Sequence, residues 1–277
     1  MTTDTAEDET PWPSAGTIGD SARTYAFAAF KAMPTVYIAG FFLMFALVFA
    51  KEALGGRVSI PAAIELHDAL IAPSRALLPA LFAAIWFLRL LVAACVAVSV
   101  HRFILLDETT ETFHPLARRY VWVFASWLSA FGLVDILLDI GIPHILGRLL
   151  GIAIIVIEVR LSLLFPAVAI DEASDGIVER VRTSWERTRG KAWKLFSAGI
   201  VAIIPFVLIA VVLAFVRIGL SSFVDFSFII GKWANLLFYS ALGVVAPMCG
   251  AGVASLAYRA ALDAESGNGT VTKPSPP

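Results

Sequence analysis

Charge is what this chain has least of. Only 16% of its 277 residues are Asp, Glu, Lys or Arg, whereas 59% are hydrophobic, and the mean hydropathy is +0.83. Soluble domains carry about 25% charged residues, so the shortfall excludes an ordinary core inside a solvated shell. Cysteine is nearly absent too. Cys95 and Cys249 both fall inside apolar runs, which argues against a disulfide framework and leaves the redox compartment unread. The histidines His67, His101, His114 and His144 are scattered and show no metal-ligand spacing. No Walker loop, GxSxG, HExxH or CxxC occurs. His101 and His114 with Asp107, Glu108 and Glu111 are the one polar group that could make a site, and solvated side chains are the expected reading. The sequence therefore names no catalytic, cofactor-binding or metal site, and it reads as non-enzymatic. Short segments of alternating hydrophobicity are also missing, which excludes a β-barrel reading.

What is present is a series of long apolar runs, the mark of membrane-spanning helices. The expected fold is all-α: a polytopic membrane bundle of six transmembrane helices with short amphipathic cytoplasmic helices. The spans are read at about 35–50, 76–100, 120–140, 144–170, 196–216 and 233–258 of a membrane domain covering 20–262. Residues 1–19, acidic at Asp4, Glu7, Asp8 and Glu9, read as a disordered tail rather than a signal peptide. Residues 263–277 read as a second disordered tail. Residues 21–33 read as an amphipathic helix on the membrane surface, stopped by Pro34. Gly141, Ile142 and Pro143 make a turn short enough for a helical hairpin between the third and fourth spans.

Lysine and arginine fix the orientation. One side holds Arg23, Lys31, Arg102, Arg118, Arg119, the cations of 180–194, Arg259 and Lys273. The other holds Lys51, Arg57, Arg75, Arg217 and Lys232. The excess places both termini in the cytoplasm. Each inward span ends with a cation and an acidic pair or near-pair, as in HRFILLDE, RLSLLFPAVAIDE and YRAALDAE. Three hairpin repeats would account for this. So would snorkelling arginines at any inward-going end, and the sequence does not choose between the two.

Ionisable residues at bilayer depth cost at least about 2.5–3.5 kcal/mol, so each needs a partner or a role. Arg89 and Glu158 lie at similar depth in the second and fourth spans, and an ion pair between them is expected. Asp135 and Asp139 share a helix face, with Arg148 at comparable depth on the returning helix, and a hairpin clamp is expected there. Arg160 is expected to snorkel or to meet Asp171 or nearby acids. In the sixth span Ala246, Gly250 and Ala254 recur every four residues, which suits close helix packing or the face of a homo-oligomer or membrane partner.

The basic segment after the fourth span sets Ile177, Val181, Trp185, Thr188 and Ala192 at helical spacing among cations. A helix on the cytoplasmic leaflet is expected, with Arg180, Arg182, Trp185, Arg187, Arg189, Lys191, Trp193 and Lys194 as candidate contacts to anionic headgroups. Topology already accounts for these charges, so nucleic-acid binding is not called for. Arg160, Pro166, Trp185, Thr188, Arg189, Gly190, Trp193 and Lys194 together make a pattern. It resembles uncharacterised bacterial six-span proteins and the membrane domain fused to glycerophosphoryl diester phosphodiesterases. The resemblance implies a bacterial inner-membrane protein of six spans and says nothing of catalysis, because no phosphodiesterase domain is present. The expected function is a membrane scaffold, a lipid-interacting component or an accessory partner. The competing expectation is a small-solute or ion transporter using the intramembrane charges.

Overall fold

The computed structural model describes residues 12–55, 78–109, 120–130, 144–170, 176–221 and 226–266, and all regular structure among them is helical. In chain order the helices are α1 (Ala15–Ala32), α2 (Pro34–Leu54), α3 (Leu78–Leu106), α4 (Tyr120–Ala130), α5 (His144–Leu161), α6 (Leu164–Ala169), α7 (Ile177–Arg187), α8 (Ala192–Ser221) and α9 (Phe226–Glu265). Four of these segments are long and apolar enough to cross a membrane: α2, α3, Ala192–Ile209 of α8 and Trp233–Glu265 of α9. The apolar surface is turned outward as well as inward. Leu208 is 59% and Phe215 69% exposed on α8, and Ile152 is 61% exposed on α5. Side chains so placed need lipid rather than water around them.

The bundle is built on α9, whose main neighbours are α1, α2, α3, α6 and α8. At 40 residues and about 1.5 Å per residue, α9 is longer than the hydrocarbon is thick. Small residues bring its neighbours close. A Cβ on Gly243 would lie 2.8 Å from Met44 Cγ of α2, and one on Gly252 would lie 2.9 Å from the Ala22 carbonyl oxygen of α1. Cys95 and Cys249 are free and buried.

Two sequence expectations are corrected by packing. The N-terminal helix starts at Ala15, inside the stretch read as tail, because the Ser14 hydroxyl accepts from the Thr17 N–H at 3.1 Å and caps it. Ile18, Gly19, Ala22, Ala26 and Ala29 are buried, and α1 enters between α8 and α9 on that small-residue face. The fourth span is not one helix either. It breaks at 162–163 between α5 and α6. Pro166 has no N–H to continue the ladder, so the Ser162 carbonyl takes the Phe165 N–H instead, at 3.4 Å. Placed in the first turn of α6, Pro166 costs that helix no bond.

Asp135, Asp139, His67, Glu111, His114, Arg118, Arg119 and Asp171, and the side chain of Arg148, lie outside the described residues.

Candidate functional site

The features that carry chemistry gather where α3, α6, α7 and α9 end. The break after α5 leaves the Arg160 carbonyl in a terminal turn, where helical donors run out. Two hydroxyls from α7 and its cap reach it: Ser184 Oγ donates at 3.0 Å, and Thr188 Oγ1 lies at 3.1 Å. Thr188 is fully buried. Its single proton is shared with the Ser184 and Trp185 carbonyls, at 2.9 and 3.2 Å. Above this contact the Arg160 guanidinium sits 5.0 Å from the centre of the Trp185 ring. Gly190, at φ +72, then turns the chain into α8, a left-handed conformation that favours glycine. Arg160, Pro166, Trp185, Thr188 and Gly190 thus have one job between them. They lock the α5–α6 break onto the α7–α8 elbow.

The same end shows a recurring use of arginine. Arg259 of α9 donates to the Ile104 carbonyl at 2.6 Å, in the last turn of α3. Arg102 of α3 donates to the Ala169 carbonyl at 2.9 Å, the last residue of α6. Arg160 of α5 reaches the Trp185 carbonyl at 3.4 Å, in the last turn of α7. Cations belong at helix C-termini, where unpaired carbonyls and the helix dipole concentrate negative charge. These cations lie toward the C-terminal ends of α3, α5 and α9, and each caps a different helix from its own. Arg102 also donates to Glu108 at 2.7 Å and lies over the Tyr120 ring, which brings α4 to this end.

The candidate headgroup residues divide by direction. Arg187 turns inward, with its Nε 2.8 Å from Glu265 Oε1 and its guanidinium 5.1 Å from the Tyr258 ring centre. Lys191 lies 4.5 Å over the Trp12 ring and pins the start of the described chain to the same end. Arg182 is exposed and paired with Glu186 at 2.9 Å, whose bond and charge hold its pKa above the ordinary arginine value. Trp193, at 74% exposure, points outward, and Arg189 and Lys194 are exposed with no acidic partner given to them among the described residues.

His101 is not a solvated loop residue. It is 1% exposed, and its Nδ1 is 2.7 Å from Ser255 Oγ, joining α3 to α9. Replacing Ser255 by alanine strands a buried ring nitrogen, so a stability loss of about 1–3 kcal/mol is expected. Thermal unfolding in detergent checks this, and an unchanged midpoint would remove the bond from the packing account.

Within the spans, Arg89 is partly buried and its Nε has no hydrogen-bond partner. Glu52, near the end of α2, is the acid whose charge acts on it. Glu158 lies on α5 and has interactions of its own. The packing partners of α3 are α1, α2, α6 and α9, while α5 packs against α7 and α8. Of the sixth-span stripe, Ala254 is buried and Ala246 is half-buried. Gly250 is exposed, and no atom lies within 4 Å of where a Cβ on it would stand. Among the described residues no three His, Cys, Asp or Glu side chains come together to hold a metal ion. No family model matches the chain, and no curated protein or solved structure matches it.

Proposed function

We propose that this chain is a six-span protein of a bacterial inner membrane, with both termini cytoplasmic, that acts on the bilayer rather than by catalysis. It would serve as a lipid-interacting scaffold or accessory component. The observation that carries the reading is the split among the basic residues. Arg102, Arg160, Arg187 and Arg259 are spent on closing the bundle end, whereas Arg189, Lys194 and Trp193 project from the α7–α8 elbow. An exposed tryptophan beside exposed cations suits the headgroup level of an anionic leaflet. The three inward-ending arginines and the likeness to six-span domains support three hairpins, and the Ala246–Gly250 side of α9 is open to a membrane partner.

Each surface cation contributes about 1 kcal/mol toward an anionic leaflet. The double variant Arg189→Gln, Lys194→Gln should therefore weaken preference for anionic lipid by roughly thirtyfold. The measurement is the lipid retained from nanodiscs of equal anionic and zwitterionic phospholipid, quantified by mass spectrometry. Retention of the same anionic excess by the variant rejects the reading.

A transporter is the second reading, favoured by the unpartnered Nε of Arg89 inside a span. Such a donor suits a passing anion, unless pairing of Arg89 with Glu158, or a clamp of Asp135 or Asp139 on Arg148, makes these charges structural. If Glu158→Gln rescues the accumulation of Arg89→Ala, the charges are structural. If Arg89→Gln accumulates normally but abolishes anion flux into proteoliposomes, they are functional.

A further inference from the structure

The chain is anchored at Trp12, before its first helix begins. Trp12 is 7% exposed and shares an apolar cluster with Leu163 at the α5–α6 break, Leu195 of α8, and Tyr258 and Ala261 of α9. Lys191 Nζ stands 4.5 Å from the centre of its ring. Two residues on, Ser14 caps α1, and α1 packs against α8 and α9. The residues that precede Trp12 are therefore tethered at the α7–α8 elbow.

Those residues are acidic. Asp4, Glu7, Asp8 and Glu9 place four carboxylates within six positions, and no lysine or arginine stands between 1 and 22. A fully extended chain spans at most about 3.5 Å per residue, so Glu9 stays within about 10 Å of Trp12 and Asp4 within about 28 Å. So short a tether holds its charges near the elbow at an effective concentration in the millimolar range. The elbow offers the opposite charge. Arg182 and Arg187 are taken up by Glu186 and Glu265. Arg189 and Lys194 are exposed, with no acidic partner given to them among the described residues. They stand two and three positions from Lys191, so their Cα atoms lie within about 7 and 11 Å of its own.

We propose that the acidic segment 4–9 docks on Arg189, Lys191 and Lys194 and competes with anionic headgroups for them. The chain then carries its own inhibitor of leaflet binding, with Trp12 as the anchor that keeps it in place. The inference rests on the lipid-interacting reading above and adds to it the regulation of the same elbow. Ion pairs in water are weak and screened by salt, so the cover is partial and readily reversed. An anionic leaflet displaces it by presenting many phosphates where the segment has four carboxylates.

The test is carbodiimide cross-linking of the full-length protein in nanodiscs, which joins a carboxylate to an amine only where the two meet. In phosphatidylcholine, a cross-link from segment 4–9 to Lys191 or Lys194 is expected by peptide mass spectrometry. In phosphatidylglycerol its yield should fall about three- to tenfold. The lipid-retention assay gives the second arm. The variant Asp4→Asn, Glu7→Gln, Asp8→Asn, Glu9→Gln should raise the anionic excess about three- to tenfold, and most of that gain should vanish when Arg189→Gln, Lys194→Gln is added. No cross-link, or an equal yield in both lipids, overturns the proposal. So does an equal gain in both backgrounds, which would mean that the carboxylates merely repel the leaflet. A cross-link in a protein with no anionic excess sinks the lipid reading, and the competition with it, but leaves the contact standing.

Discussion

Leucine at position 252 is expected to stop the protein accumulating, or to cost it about 3 kcal/mol or more in detergent, whereas leucine at position 250 is expected to be tolerated. The two glycines are neighbours on one helix and differ only in what they face. A Cβ at 252 would lie 2.9 Å from the Ala22 carbonyl oxygen, 3.1 Å from Ala22 Cβ and 3.2 Å from Ala22 Cα. Those are backbone and near-backbone atoms of α1, which cannot swing aside as a side-chain tip can. Nor is α1 free to retreat as a body, because its Gly19 sits against α8. A Cβ there would meet Val201 at 2.8 Å and the Ala198 carbonyl oxygen at 2.9 Å. Alanine at 252 should give a graded loss of about 1–3 kcal/mol. A Cβ at 250 meets nothing within 4 Å, and replacing an exposed helical glycine gains up to about 1 kcal/mol of helix propensity. The readouts are the thermal midpoint of the purified protein and its membrane abundance. Equal tolerance at both sites would mean that α1 does not lie against α9. A loss of oligomer confined to Gly250→Leu would instead mark the Ala246–Gly250 side as a partner face.

How much of this can be read from the chain follows from the range of the interactions. Apolar helices announce themselves by composition, which is local, so the long apolar segments of α2, α3, α8 and α9 overlap the runs read at 35–50, 76–100, 196–216 and 233–258. Helix α1 begins earlier than its sequence reading and packs closely on its neighbours, for a reason visible in its residues. Asp20, Arg23 and Lys31 mark a polar flank, and Gly19, Ala22, Ala26 and Ala29 form a face small enough to pack against α8 and α9. The small-residue spacing is present in the sequence, and the charges outweigh it as a signal. Pro166 is visible as well, but holding the break beside it also takes a distant partner that donates to the Arg160 carbonyl. That partner is Ser184 and Thr188, 24 and 28 residues from Arg160. Pairs such as His101 with Ser255 and Arg259 with Ile104, 154 and 155 residues apart, leave no periodic trace at all. Spacing along one helix does separate Glu158 from Arg160, yet it cannot supply Trp185 as the ring that Arg160 faces.

Removing both hydroxyls that hold the Arg160 carbonyl, as Ser184→Ala with Thr188→Val, is expected to cost about 2–4 kcal/mol and to loosen the α7–α8 elbow before the rest of the bundle. Valine keeps the shape of threonine, so the fully buried site at 188 stays filled and only hydrogen bonding is lost. Either single variant leaves the carbonyl one donor, Ser184 Oγ at 3.0 Å or Thr188 Oγ1 at 3.1 Å, and should cost about 0.5–1.5 kcal/mol. The double variant leaves a carbonyl at a helix break with neither a ladder partner nor a side-chain donor, and its desolvation cost adds to the two lost bonds. The sum should therefore exceed the singles taken separately, as expected of groups that share one acceptor. Local release has its own signature. Without the hydroxyls, α7 is held by the Arg160–Trp185 stack and by the Arg187–Glu265 pair, whose carboxylate is half exposed at 51%. With its carboxylate half in solvent that pair is partly screened, so amide exchange should rise across 177–194 at temperatures where α3 and α9 remain protected. Additive singles, or exchange that rises evenly along the chain, would mean that the break after α5 is supported by something other than these two side chains.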